Sequence, residues 1–377
     1  MKAPLGDLDL AEFTARFWQQ KPCLVRQAFP GFSPALDEND VAGLACDELA
    51  ESRLVTGSFE KADWNLRHGP FKPKELRQLP DTRWTLLVQD VEKHYPPLQD
   101  LMSRFDFIPG WRMDDLMVSV SAPGGSVGPH VDEYDVFLLQ ASGRRSWQIA
   151  AQFDRELQPN CDLKVLCNFQ AEEQWELEAG DMLYLPPGIA HHGVALDQGM
   201  TWSIGLRAPS QADLLLGLGE WLAREQGEGE RYRDHRLPTD ARPGEVSPEA
   251  LLELRQLLAS SLTPDARLDR FLAHFLSQYR LAHHPAASPD GTGEEAFGPE
   301  SLLSANLQAN PWTRMAWIEK NGQARLFAAG QEYACSTAMA VALCRRPFRL
   351  EGIQPLDIEG EMLLRALIRD GHLYLAS

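Results

Sequence analysis

The sequence predicts an α+β chain in which a barrel or sandwich of short β-strands is followed by helices and then by a small mixed domain. Three observations carry this reading. From Trp84 to Leu206, short apolar and β-branched runs are cut repeatedly by turns containing Gly and Pro, as in antiparallel barrels and sandwiches. After Pro209 the apolar residues change to helical spacing. From Ser301 onward, strand-like and helix-like segments alternate again over a short length.

The elements follow in order. Leu8 to Gln20 is expected to be a helix with Phe13, Phe17 and Trp18 on one side, stopped by Lys21-Pro22, with Cys23 to Arg26 as a strand. Trp84 to Gln89 and Leu116 to Ser121 are strands, the second leading into the Gly-rich turn Pro123 to Pro129. Asp135 to Gln140 and Ser146 to Ala150 form a hairpin about Ala141-Ser142-Gly143-Arg144. Trp175 to Leu177, Met182 to Leu185, His192 to Leu196 and Met200 to Leu206 complete the strands. Helices are expected at Ala212 to Glu225, Pro248 to Ser260 and Ala266 to Leu281, with Gly227 to Val246 as a connecting loop. His283 to Pro299, poor in bulky apolar residues, is a linker. Beyond it lie strands at Met315 to Glu319 and Ala324 to Ala328 and helices at Cys335 to Leu343 and Asp357 to Asp370. The boundaries are therefore residues 1–208, with the strand-rich core at about 85–208, then 209–285 and 300–377.

Composition narrows the function classes. The 377 residues carry 36 Lys and Arg against 54 Asp and Glu, a net charge of −18 that repels nucleic acid and draws basic partners. Arg345-Arg346 is the only basic run in the terminal segment, so direct DNA binding is not expected. No apolar run reaches the length of a membrane span, Met1 to Leu10 lacks signal-peptide character, and a cytoplasmic location is expected. Six scattered cysteines without Cys-x-x-Cys spacing fit reduced thiols.

The chemistry concentrates in Gly128-Pro129-His130-Val131-Asp132. In an extended segment residues 130 and 132 project to one side and Val131 to the other, so one metal ion can bridge the imidazole and the carboxylate. A third ligand must come from another strand. The stretch Gly180-Asp181-Met182-Leu183-Tyr184-Leu185-Pro186-Pro187-Gly188 supplies a turn, an apolar strand and a bend, with His191 just beyond it and His192 competing for the position. Two histidines and one carboxylate hold a redox-active iron on one face and leave its other positions open.

These blocks, with Gly143-Arg144-Arg145-Ser146-Trp147, resemble the JmjC-type, cupin-like 2-oxoglutarate oxygenases, and more closely the bacterial ribosomal oxygenases that hydroxylate an arginine of large-subunit ribosomal protein sixteen. The resemblance implies a double-stranded β-helix (jelly-roll) catalytic core, a helical dimerisation region and a C-terminal winged-helix-like domain. It implies Fe(II) held by His130, Asp132 and His191, with 2-oxoglutarate and O2 as cosubstrates. His191 is preferred to His192 because the family's ligand stands four residues after the second proline of Pro-Pro-Gly. The family's basic residue two positions before Trp147 selects Arg145 for the distal carboxylate of 2-oxoglutarate, and Arg144, its neighbour on the strand, must face the other way. Thr201 and Ser203 share one face of the closing strand and are expected to add a hydrogen bond there.

Glu133, Tyr134 and Asp135 are the expected substrate wall, where acidic and aromatic side chains suit a guanidinium. The expected substrate is a basic ribosomal protein and the expected assembly a homodimer. Hydroxylation of a histidine, a cupin enzyme that takes no 2-oxoglutarate, and a non-catalytic sensor or regulator are the alternatives. Oxygen-dependent turnover of 2-oxoglutarate separates the last two from the first readings.

Overall fold

The computed structural model describes residues 3–226, 230–233, 244–263, 265–285, 307–320, 322–346, 348 and 357–375. The chain divides into two compact units, one of Met1–Ala208 with Arg345–Pro347, the other of Pro209–Cys344 with Phe348–Ser377.

The first unit begins with a helix at Leu10–Arg16, shorter than its apolar pattern suggests. Asp9 caps its start by accepting from the Ala11 amide, and the chain leaves the helix at Phe17 so that Phe13 and Trp18 pack together. Twelve strands follow: β1 Cys23–Val25, β2 Ser52–Thr56, β3 Asn65–His68, β4 Trp84–Val88, β5 Met113–Ser121, β6 His130–Val131, β7 Val136–Ser142, β8 Arg145–Ala150, β9 Glu173–Leu177, β10 Met182–Leu185, β11 Ala190–Ala195 and β12 Gly199–Leu206. They form an eight-stranded sheet in the order β1-β10-β7-β12-β5-β4-β2-β3 and a four-stranded sheet in the order β6-β11-β8-β9. The eight strands β5 to β12 divide equally between the two sheets, and every pairing among them is antiparallel. That is a jelly roll. Strands β2 and β3 extend the larger sheet beyond the strands expected from sequence, because Ser52–Thr56 is short and flanked by charge, and shows its apolar face only once paired with β4.

The alternation along β7 shows where the cores lie. Phe137 and Leu139 join the outer core with Phe13, Phe105, Tyr184 and Trp202, whereas Val136 and Leu138 face between the sheets with Trp147, Ile149, Leu177 and Leu183. Each such side chain contributes roughly 1.5–3 kcal/mol on full burial. Two apolar layers thus fix the larger sheet from both sides.

The second unit has helices at Gln211–Gln226, Pro248–Ser261 and Ala266–Gln278, then β13 Leu307–Ala309, β14 Met315–Lys320, β15 Gln323–Ala328, β16 Gln331–Cys335, helices at Thr337–Leu343 and Ile358–Arg369, and β17 Leu373–Leu375. The strands β14-β15-β16 form an antiparallel sheet and β13 pairs with β17. Ser336 and Asp357 cap the last two helices, which start later than the apolar pattern alone implies. The Ala266–Gln278 helix docks on the β15–β16 turn, where Ser277 Oγ accepts from the Gly330 amide and His274 Nδ1 meets the Gly330 carbonyl. The expected loop at 227–246 and linker at 283–299 fall largely outside the described residues.

Candidate metal centre

The short strand β6 pairs antiparallel with β11 so that His130 lies opposite His191. Residues directly opposite each other in such a pair put their side chains on the same face, and the imidazole centroids are 4.2 Å apart. Asp132, one residue past β6, completes the group: its Oδ2 is 3.6 Å from His191 Nε2 and 4.0 Å from His130 Nε2. The three ligand atoms all lie within 4.8 Å of one another, the one His/Cys/Asp/Glu group of metal-binding geometry among the described residues. Val131 turns the other way and packs against Ala150, Leu166 and Phe169.

Backbone carbonyls aim the ligands. His130 Nδ1 is 2.9 Å from the Gly128 carbonyl and His191 Nδ1 is 3.0 Å from the Ile189 carbonyl. A carbonyl only accepts, so each Nδ1 carries the hydrogen and each Nε2 presents a lone pair to the centre. Burial pulls the His191 imidazole down to about 4, which keeps it neutral and able to ligate. The turn is held tightly: the Gly188 amide donates to the Asp132 carbonyl at 2.8 Å, and Gly128 has φ +81° with Val165 so near that a Cβ would lie 2.7 Å from its methyl.

His192 stands one residue along β11 and therefore faces outward, between the rings of Phe59 and Phe169. The pleat that delivers His191 to the centre excludes its neighbour.

Arg145 opens β8 on the same inner face as Trp147, opposite Ala195 and Gly193 of β11. It is 4% exposed. Its guanidinium donates to Ser121 Oγ at 3.2 Å, Thr201 Oγ1 at 3.4 Å and the Gly193 carbonyl at 3.1 Å, while Nε has no partner among the described residues. Among the described residues no acidic side chain forms an ion pair with it, and burial alone lowers it to about 10, so it remains a cation at neutral pH. Arg144 points outward and pairs with Asp197 at the surface. Gly193 leaves the space that matters here: a Cβ would sit 2.6 Å from the Trp147 ring and 2.7 Å from Arg145 Nε. Thr201 also donates to Gln140 Oε1; Ser203 is buried on the same face of β12, but it is Thr201 that reaches Arg145.

The expected substrate wall divides. Glu133 is exposed and faces Arg155 at the surface. Tyr134 is half-buried and hydrogen-bonded to the Asp132 carboxylate, and burial pushes its phenol well up. Asp135 departs from the expectation: its side chain is 0% exposed and accepts from Tyr184 Oη, Arg112 Nη2 and Gln19 Nε2, so it braces the fold rather than lining an opening. The acidic group the sequence reading missed is Asp115. In β5 it shares the inner face with Met117, Ser119 and Ser121, and Ser121 touches Arg145. Its carboxyl is raised well above the usual range by burial and by Glu92, Asp114 and Asp90, and its charge acts on the Tyr134 hydroxyl. Counting in twos back from Ser121 places it on that face once Ser121 is known to touch Arg145.

A jelly roll carrying His-x-Asp and a distant His on its inner face defines the class of mononuclear metal oxygenases built on cupin-like barrels. The JmjC domain model matches residues 100–214. The chain is 35% identical over 312 residues, 82% of its length and 81% of the relative's, to the ribosomal protein uL16 3-hydroxylase of Escherichia coli. It is 34% identical to a probable ribosomal oxygenase of Haemophilus influenzae, over 68% of this chain and 65% of that one. The crystal structure of E. coli YcfD superposes with a TM-score of 0.86 at 30% identity over the whole of both chains. YcfD in complex with cobalt and 2-oxoglutarate superposes with a TM-score of 0.82, covering 98% of this chain and 99% of that one. The chain belongs to the JmjC ribosomal oxygenases.

Proposed function

We propose that this chain is a cytoplasmic hydroxylase that uses Fe(II), 2-oxoglutarate and O2 to hydroxylate an arginine side chain of a large-subunit ribosomal protein. One observation carries the reading: a three-ligand centre and a buried guanidinium, without a carboxylate partner among the described residues, lie on the inner face of one barrel. A cation buried without a counter-charge is costly, and a dicarboxylate anchored at the metal end returns that cost at the other. The residues fit the group, since two imidazoles and one carboxylate leave about half of a divalent ion's positions open. Iron and 2-oxoglutarate together supply oxygen activation coupled to decarboxylation to succinate, with one oxygen atom passing to a substrate C–H.

The chain's own side chains do the rest. His130, Asp132 and His191 would hold the ion. Arg145, oriented by Thr201 and Ser121 with Ser203 beside them, would grip the distal carboxylate. Tyr134 orients Asp132 through its hydroxyl and, with Asp115, offers an aromatic face and a carboxylate to a guanidinium, which would restore the Asp115 charge that burial suppresses. Glu133 extends the acidic character to the rim. The ribosomal-protein target is supported by the uL16 3-hydroxylase relative, the arginine by the family resemblance of the sequence, and a net charge of −18 favours a basic target.

The assembly is a homodimer. Helix Pro248–Ser261 has no buried residue, and Leu251, Leu252, Leu254 and Leu258 are 41%, 55%, 38% and 71% exposed. A helix that apolar is stable in water when a second copy covers it. The described helices within 209–285 supply this surface, and the described residues within 300–377 form a winged-helix-like end whose sheet and helices bury Leu326, Leu364 and Leu367.

Mass spectrometry of ribosomal proteins from cells with and without the gene tests the function. A single tryptic arginine-containing peptide heavier by one oxygen only when the gene is present is the expected result. The same gain on a histidine, or no difference together with no oxygen-dependent succinate formation, overturns it.

A further inference from the structure

The buried carboxylate of Asp135 lies where the ligand-bearing turn ends. The turn Asp132-Glu133-Tyr134-Asp135 links β6 to β7, and its near end is fixed by the β6–β11 pairing and by the Gly188 amide on the Asp132 carbonyl. At its far end three groups from three separate segments converge on one carboxylate. Tyr184 Oη of β10 donates at 2.6 Å, Arg112 Nη2, just before β5, donates at 2.8 Å, and Gln19 Nε2, just past the first helix, donates at 3.1 Å. The Gln19 amide also donates to Tyr184 Oη at 2.8 Å, and the Leu206 amide donates to the Asp135 carbonyl at 3.0 Å. Trp18 stacks on Tyr184 at 5.7 Å, with the Arg112 guanidinium over its ring at 5.8 Å. Every oxygen of Asp135 is therefore committed, and its charge is matched by a guanidinium in a dry site.

We propose that Asp135 is a positioning residue for the metal centre: with Tyr184, Arg112 and Gln19 it clamps the turn whose other end carries Asp132, and so sets the place of the only anionic ligand. This rests on the metal-site reading above. With only two residues, β6 is too short to fix the four-residue turn by itself, since every residue left free keeps its conformational entropy. The clamp removes that freedom before any ion arrives. It also gives the N-terminal segment, which lies outside the jelly roll, a part in the chemistry through Trp18 and Gln19.

The test is titration of the full-length, metal-free chain with Co(II), following affinity and the visible ligand-field spectrum, alongside thermal melting. Tyr184→Phe removes one hydroxyl and leaves the ring packed among Phe13, Trp18 and Phe137. Asp135→Asn removes the charge. Val55→Ala, a buried change in β2 at the far side of the same sheet, serves as the destabilised control. The expected result is a loss of Co(II) affinity of about tenfold or more in Tyr184→Phe and more again in Asp135→Asn, with an altered ligand-field spectrum, while Val55→Ala lowers the melting temperature and binds as the parent does. Parent-like affinity and spectrum in Tyr184→Phe, or an equal loss in Val55→Ala, overturns the proposal and leaves the metal site standing. Failure of the unsubstituted chain to bind Co(II), or binding that survives His130→Ala, overturns the metal-site reading and this proposal with it.

Discussion

Replacing Arg145 by Met separates a cosubstrate anchor from a structural arginine by the sign of its effects. Burial lowers the guanidinium from 12.5 to about 10, a penalty of about 3 kcal/mol against the charged form. Among the described residues two hydroxyls, one carbonyl and the Trp147 ring, 5.1 Å from the guanidinium, offset it in part. A carboxylate gripped by two charge-assisted bonds returns about 3 kcal/mol or more. Losing that term weakens 2-oxoglutarate roughly 150-fold, at about 1.4 kcal/mol per decade. The unliganded Met variant, freed of a desolvated charge, should melt at or above the parent's temperature. Calorimetric titration of 2-oxoglutarate into the Mn(II)-loaded protein measures the first effect, and melting with and without cosubstrate measures the second. At 100 times its Kd, 2-oxoglutarate should stabilise the parent by about 2.7 kcal/mol and the variant hardly at all. Unchanged affinity, or a large drop in the unliganded melting temperature, would refute the assignment.

Three further outcomes are expected. Asp132→Ala removes the anionic ligand and should abolish both metal binding and succinate formation; a fully active variant would place the metal elsewhere. Gly193→Ala pushes a methyl into Trp147 and Arg145, so it should lower stability by about 1–3 kcal/mol and raise the KM for 2-oxoglutarate, read by melting and steady-state kinetics. Burial raises Glu92 to about 7 from 4.5, so the native state holds a proton that the unfolded state has lost between those values, and stability falls as pH rises through that window. Glu92→Gln should therefore gain stability over the parent at pH 8, by up to about 3 kcal/mol, and show no gain at pH 4 in denaturant titrations.

The site was largely legible because its chemistry is local. His130-x-Asp132 needs only the two-residue repeat of an extended chain to put both ligands on one side, and the adjacency of Arg144 and Arg145 lets only one of them face inward. Asp115 and Asp135 were not legible for the opposite reason. Asp115 faces inward only because β5 runs in register with β12, and Asp135 is buried only because Gln19, Arg112 and Tyr184 arrive from distant segments. Acidic residues beside a metal motif look alike until those partners are placed. Strands β2 and β3 were missed similarly, since the pairing of β2 with β4 and of β3 with β2, rather than composition, makes them strands.

By itself, then, the sequence determined the strand-rich core, the helices that follow it and the His130-x-Asp132 pair, because period, turn chemistry and side-chain alternation act over a few residues; His191 over His192 and Arg145 over Arg144 came from the family resemblance. Tertiary structure alone decided which face of each strand is the interior, that His192 lies between two phenylalanines while His191 meets His130, and that a carboxylate beside the ligands braces their turn. Those outcomes depend on which strands become neighbours, and strand pairing joins residues that the chain keeps far apart.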